Sequence, residues 1–158
     1  MAEIDIVIPG LKIIKEGVFN LKEVYNLINE FLCQRGYDLT EKEQMYNEEG
    51  KLKIKYEADK KADDYTKFII EITITGAGTK EVELKNKKAS SGKFSIKIEA
   101  KLKKDYEDTW DKRPFQKFMR EIFDKFVLGS KFDRYSKELT DEAYALYNEL
   151  KSYIGLKV

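Results

Sequence analysis

The chain has no histidine, one cysteine, two prolines and few arginines in 158 residues. The missing histidine removes the side chain most often used as a general base near neutral pH and as a transition-metal ligand. A single cysteine excludes an internal disulfide and any cluster of thiolate metal ligands. Cys33 stands among apolar residues and reads as a small buried filler, which suits a reducing compartment. Arginine occurs only at Arg35, Arg113, Arg120 and Arg134, so bidentate recognition of phosphate or carboxylate has few places to occur. No run approaches the ~18 apolar residues that span a bilayer. The opening "MAEIDIVIPGLKII" lacks the basic stretch of a secretion signal, and the cytoplasm is the expected location.

Phosphate-binding loops are missing too. "GAGTK", Gly76 to Lys80, lies between two strand patterns, whereas a phosphate loop must open a helix; it is expected to be a hairpin turn. The acidic pairs Asp63-Asp64, Glu48-Glu49 and Asp105 with Asp108 fall in turns or at strand ends, where solvated charge is the ordinary reading. Glu71 is mid-strand but odd-numbered, which puts it on the outer face of its sheet. No catalytic constellation, metal site or cofactor is expected, and the chain reads as a non-enzyme.

Charge is abundant yet balanced. Charged residues make up 37% of the chain, with 30 Lys and Arg against 29 Asp and Glu, a net charge of +1. The balance is local as well as global: Lys51 to Lys104 holds fifteen Lys and eight Asp or Glu, hence +7, which leaves −6 for the remainder. A dipolar molecule follows.

The hydrophobic pattern divides the chain into three parts. "EIDIVIPGLKIIKEG" alternates on both sides of Pro9-Gly10 and predicts one or two short strands joined by a turn. "FNLKEVYNLINEFLCQRG" carries a helical stripe, with Asn20 and Glu23 as a capping box and Gly36 at the left-handed C-terminal position. From Tyr37 to Tyr106 the period is two, with apolar even positions in most strands and turn chemistry at "NEEGK", "KKADD", "TGAGTK" and "NKKASSGK". After Pro114 the period is helical to Gly129; "SKFDRYSKEL" reads as a polar linker, and Thr140 as the cap of a last helix. The expectation is a single globular α+β domain over 1–158: an antiparallel meander of about five strands plus the N-terminal strand, helices on one face, in the order β-α-β(5)-α-α.

Five strands make a sheet roughly 24 Å wide, and one helix covers only about 8–10 Å. Two helices must therefore cover the apolar face, since exposing it would forfeit on the order of 1.5–3 kcal/mol per large side chain. "RPFQKFMREIFDKFV", Arg113 to Val127, has the widest aromatic stripe and is expected to be one of them. If that core is hollow, Phe115, Phe118, Met119, Ile122 and Phe126 line a ligand cavity. Peripheral membrane contact is disfavoured, because inserting the Phe residues would uncover the sheet, which leaves only Trp110 and the helix's basic polar face to dock.

Three functional expectations result. The leading one is a binding or adaptor module that docks an anionic macromolecule, nucleic acid or acidic protein, through a Lys-rich sheet face. After the cross-strand pairing of Lys53 with Glu71, Glu57 with Lys67, and Lys97 with Glu81 or Glu83, the candidate partner-binding residues are Lys87, Lys88, Lys93, Lys101, Lys103 and Lys104. The second is a helix-grip-like carrier of an apolar small molecule or lipid, a fold-level analogy. The third is a structural homodimer using Tyr144, Tyr147 and Tyr153 of the last helix.

Overall fold

A computed structural model describes residues 3–84, 87–104, 122 and 129–156, with residues 84, 87, 88, 129 and 156 described by their backbone alone. The elements are β1 (Glu3–Phe19), α1 (Leu21–Gln34), β2 (Asp38–Tyr46), β3 (Leu52–Lys61), β4 (Thr66–Leu84), β5 (Lys87–Lys104) and α2 (Gly129–Leu156). The strands form one antiparallel sheet in the order β1-β5-β4-β3-β2, so the N-terminal strand closes against the last one. The class is α+β, with the helices on one side.

The period-two pattern decides which side. Ile54, Tyr56 and Ala58 of β3, Phe68 to Ile74 of β4 and Phe94 to Leu102 of β5 present their even-numbered side chains to the helices, and all are buried. Two helices cover this face, as its width requires. α1 is fixed at its start by Asn20, whose Oδ1 accepts from the Glu23 N–H at 3.1 Å, and it leaves through Gly36 at φ 86°. Its stripe of Val24, Ile28, Phe31 and Leu32 is buried. Cys33 is exposed instead of buried, its Sγ 3.3 Å from Asn29 Oδ1. Two positions after Phe31 the helix has turned about 200°, which carries Cys33 away from the sheet.

The second cover is α2, which differs from the expected linker and short last helix. "SKFDRYSKEL" is helical, because Phe132, Tyr135 and Leu139 start a spacing of three and four that runs through Ala143, Leu146, Leu150 and Ile154, all buried. Thr140 is not a cap; its hydroxyl donates to the Ser136 carbonyl one turn back, at 2.7 Å. Of the aromatic stripe expected to lie on the sheet, Phe115, Phe118, Met119 and Phe126 lie outside the described residues, and Ile122 is 37% exposed.

Two expected turns are absent as turns. "TGAGTK" is a bulge within β4, where the pairing with β5 shifts between Ala77 and Lys80 and then resumes. The strands expected on either side of it are therefore one. The β2–β3 turn packs on that bulge: the Thr79 N–H and hydroxyl both donate to the Gly50 carbonyl, at 3.0 and 2.9 Å. Gly50 has φ 81°, and a Cβ there would stand 2.9 Å from Thr79 N, so only glycine fits. Likewise Pro9-Gly10 interrupts β1 without ending it. Register shifts between Ile6 and Ile8 and between Ile8 and Leu11 absorb the irregularity on an edge strand, where a missing N–H is tolerated.

If α2 is a main cover of the sheet, truncating its centre must be costly. Leu146→Ala is expected to lower the unfolding free energy by about 2–5 kcal/mol in urea denaturation. Tyr144→Ser, on the exposed side of the same helix, should change it by no more than about 0.5 kcal/mol.

Candidate functional site

The face of the sheet away from the helices carries the odd-numbered residues of β3, of β4 up to its bulge, and of β5, arranged in rows that cross the strands. One row is acidic, Glu57 beside Glu71 beside Glu99. The rows on either side supply its cations. Lys101 lies 3.1 Å from Glu71 and 3.9 Å from Glu99, Lys97 2.9 Å from Glu99, and Lys55 3.7 Å from Glu71. Burial works against the Glu99 carboxylate, but Lys97 and then Lys101 outweigh it and hold its pKa below the usual range. The middle of this face is thus neutralised by its own pairs. Glu71 is their centre, and its side chain is 14% exposed.

The predicted partner-binding lysines separate. Lys101 is engaged in the acidic row rather than unpaired. Lys104 faces the other way: it is even-numbered like Leu102, is 9% exposed, and lies 2.6 Å from Asp5 with its ammonium 4.1 Å from the Phe132 ring centroid. The parity rule that buries Leu102 also turns Lys104 inward. Lys87 and Lys88 pair through their backbones with Leu84 and Glu83, and their side chains lie outside the description. Lys93 and Lys103 remain on the outer face, with no ion pair among the described residues.

Sequence reasoning missed the neighbour of these lysines. On β1, Ile4 stands opposite Lys103, Ile6 opposite Lys101, Lys12 opposite Lys97, Ile14 opposite Ser95 and Glu16 opposite Lys93. Ile6 and Ile14 are 65% and 63% exposed, and Ile4 and Val18 are exposed too. Only part of the signal was in the strand itself: adjacent Ile13 and Ile14 cannot share a face, whereas Ile4, Ile6 and Ile8 have one parity and are divided between the faces by the register shift between Ile6 and Ile8. The outer surface of β1 and β5 is therefore an aliphatic row bordered by lysines. No residue of β1, β3, β4 or β5 on this face is aromatic.

A second polar group joins the β3–β4 turn to α2. Asp63 Oδ1 accepts from the Tyr65 and Thr66 N–H groups at 2.8 and 2.7 Å, and its Oδ2 accepts from the Tyr135 hydroxyl at 3.0 Å and from Lys131 at 3.0 Å. Far from being merely solvated, Asp63 is fully occupied. Burial raises its pKa, but Lys131, the two N–H groups and Tyr135 together bring it below the ordinary value. Alongside, Lys60 binds Glu142 at 2.9 Å and lies over the Tyr37 ring at 4.6 Å. Burial, and then the Glu142 carboxylate, push the Tyr37 hydroxyl far above its usual pKa. These groups pin a hairpin to a helix, and each cation already has its anion.

Between sheet and helices the described core side chains pack on one another. Ile28, Leu32, Ile72, Ile98, Leu139 and Leu146 are fully enclosed by their neighbours, and the grooves formed by described residues, between α1 and α2 and beside β1, lie at the surface. Among the described residues no group of three His, Cys, Asp or Glu could hold a metal, and no helix is long and apolar enough to cross a membrane. No protein-family model and no curated protein matches the chain.

The Asp63 carboxylate has a folded pKa below its unfolded one, so its contribution to stability is complete above the unfolded value, about 4, and is lost as pH falls through the folded value. Urea unfolding of Asp63→Asn against the parent protein should show a stability deficit at pH 6 to 7, at about neutral, that closes as the medium is acidified. A deficit constant with pH would contradict this assignment.

Proposed function

We propose that the protein is a non-catalytic docking module for an acidic macromolecular partner, engaged through the Lys-rich outer face of its sheet. The observation that supports this reading is the exposed aliphatic row Ile4, Ile6 and Ile14, bordered by Lys12, Lys93 and Lys103. Exposed aliphatic side chains on a strand are a liability unless something covers them. The flanking cations select for a partner that is both apolar and acidic.

An acidic protein segment fits that surface better than nucleic acid. Single-stranded bases bind by stacking on aromatic rings, which this face lacks, whereas Leu or Val of an acidic protein would lie against the Ile row with Glu or Asp reaching the lysines. A carrier of an apolar ligand draws no support from the described residues, whose grooves lie at the surface.

The test uses an acidic peptide of alternating Glu and Val and, separately, a single-stranded RNA as probes. The peptide should bind with an affinity that falls as salt rises. Lys93→Glu with Lys103→Glu should weaken it by about 5–30-fold, the equivalent of one to two kcal/mol, with unfolding unchanged. Tight RNA binding lost in the same variant would transfer the site to nucleic acid; peptide binding indifferent to the two charges would remove the outer face from consideration.

A further inference from the structure

We infer that two copies of this chain associate by pairing β1 with β1, antiparallel and centred on Ile14, to make one continuous sheet. The inference rests on the edge of the sheet rather than on the docking face, although the two surfaces share Ile14 and Lys12. β1 is an end strand: β5 occupies one side of it, and among the described residues no strand occupies the other. From Leu11 to Gly17 the register with β5 is unbroken, so a straight run of backbone donors and acceptors lies along the free side. The register shifts at Ile6 to Leu11 bound this run at one end, and Gly17, at φ 114°, bounds it at the other.

The residues in this run are self-complementary. In a twofold antiparallel pair centred on Ile14, Ile14 meets Ile14 of the second copy, and Lys12 on each copy meets Glu16 on the other, all on the outer face. Exposed Ile14 is then flanked by two opposite-charge pairs. Centring on Lys12, Lys15 or Glu16 instead sets like charges against each other. A slip of one residue would turn the second copy's helices to the opposite face and put Lys12 against Lys15.

On the helix side, the groove between β1 and α2 is lined by Ile13, Tyr147, Lys151 and Ile154. The second copy's Lys15 would run past Ile13 into it. The approach of Lys15 and Lys151 to their counterparts opposes association, so a weak, concentration-dependent dimer is expected. The opposite edge is unsuited to the same contact, since β2 has a register shift at Glu41 to Glu43 and carries charges there.

Sedimentation equilibrium across a concentration series tests this. The parent mass should rise from 18.5 kDa towards twice that value. Lys12→Glu and Glu16→Lys should each remain monomeric at the concentration where the parent is dimeric. Dimers should return in the double variant, and also when the two single variants are mixed, because each mixed pair again sets Glu against Lys. A parent protein that is monomeric throughout, a dimer unaffected by either single substitution, or no recovery on mixing would each overturn the inference.

Discussion

The whole molecule depends on the alternation in the long antiparallel strands β5 and β4, the latter as far as its bulge at Ala77 to Lys80. A side-chain period of two sends every even residue from Phe94 to Lys104 to one face and every odd residue to the other. The even face is nearly all aliphatic and aromatic, and must be covered over its full width, which is why two helices lie on it. The odd face carries a dense set of charges, with Ile69 buried among them, and neither α1 nor α2 lies on it. The docking face proposed for the chain lies on the side that α1 and α2 do not reach, and the proposed self-pairing edge lies between the two faces.

That outer face is not uniformly basic, although its sequence is. Glu57, Glu71 and Glu99 fall in one row, and lysines from β3 and β5 gather round Glu71 and Glu99. Pairs of this kind at a partly exposed surface are individually weak, but they neutralise the central cations. The usable positive charge moves to the β1 and β5 side, next to aliphatic groups exposed there. Among the described residues of the outer face, unpaired lysines and exposed aliphatic side chains meet at that border, and the proposed docking rests on this coincidence.

Much of the fold was legible because it follows from periods. The even-numbered core of β3 to β5, the Asn20 cap and the Gly36 exit are all local consequences of spacing and side-chain chemistry. The misreadings arose where punctuation outweighed pattern. Gly76 to Lys80 and Pro9-Gly10 look like turns, but a bulge and an edge position allow the strand to continue through both. The polar residues of "SKFDRYSKEL" obscured a helical spacing that starts at Phe132. Of the site, the Lys-rich character was readable, but the ion pairs were not: strand order sets Lys101 beside Glu71, and a sequence without its registers cannot give that pairing. Lys104 is different, since its parity alone placed it with Leu102 on the buried face. The exposed Ile row needed both the β1–β5 pairing and the knowledge that β1 is an edge.

The most direct test of the account is amide chemical-shift mapping of the isotopically labelled protein during titration with an acidic peptide of alternating Glu and Val. The account predicts perturbations concentrated on the outer side of β1 and β5, at Ile4, Ile14, Lys93 and Lys103, with α1 and α2 unaffected. Perturbations confined to the groove between α1 and α2, around Glu23, Glu30 and Glu149, or none at saturating peptide, would contradict it.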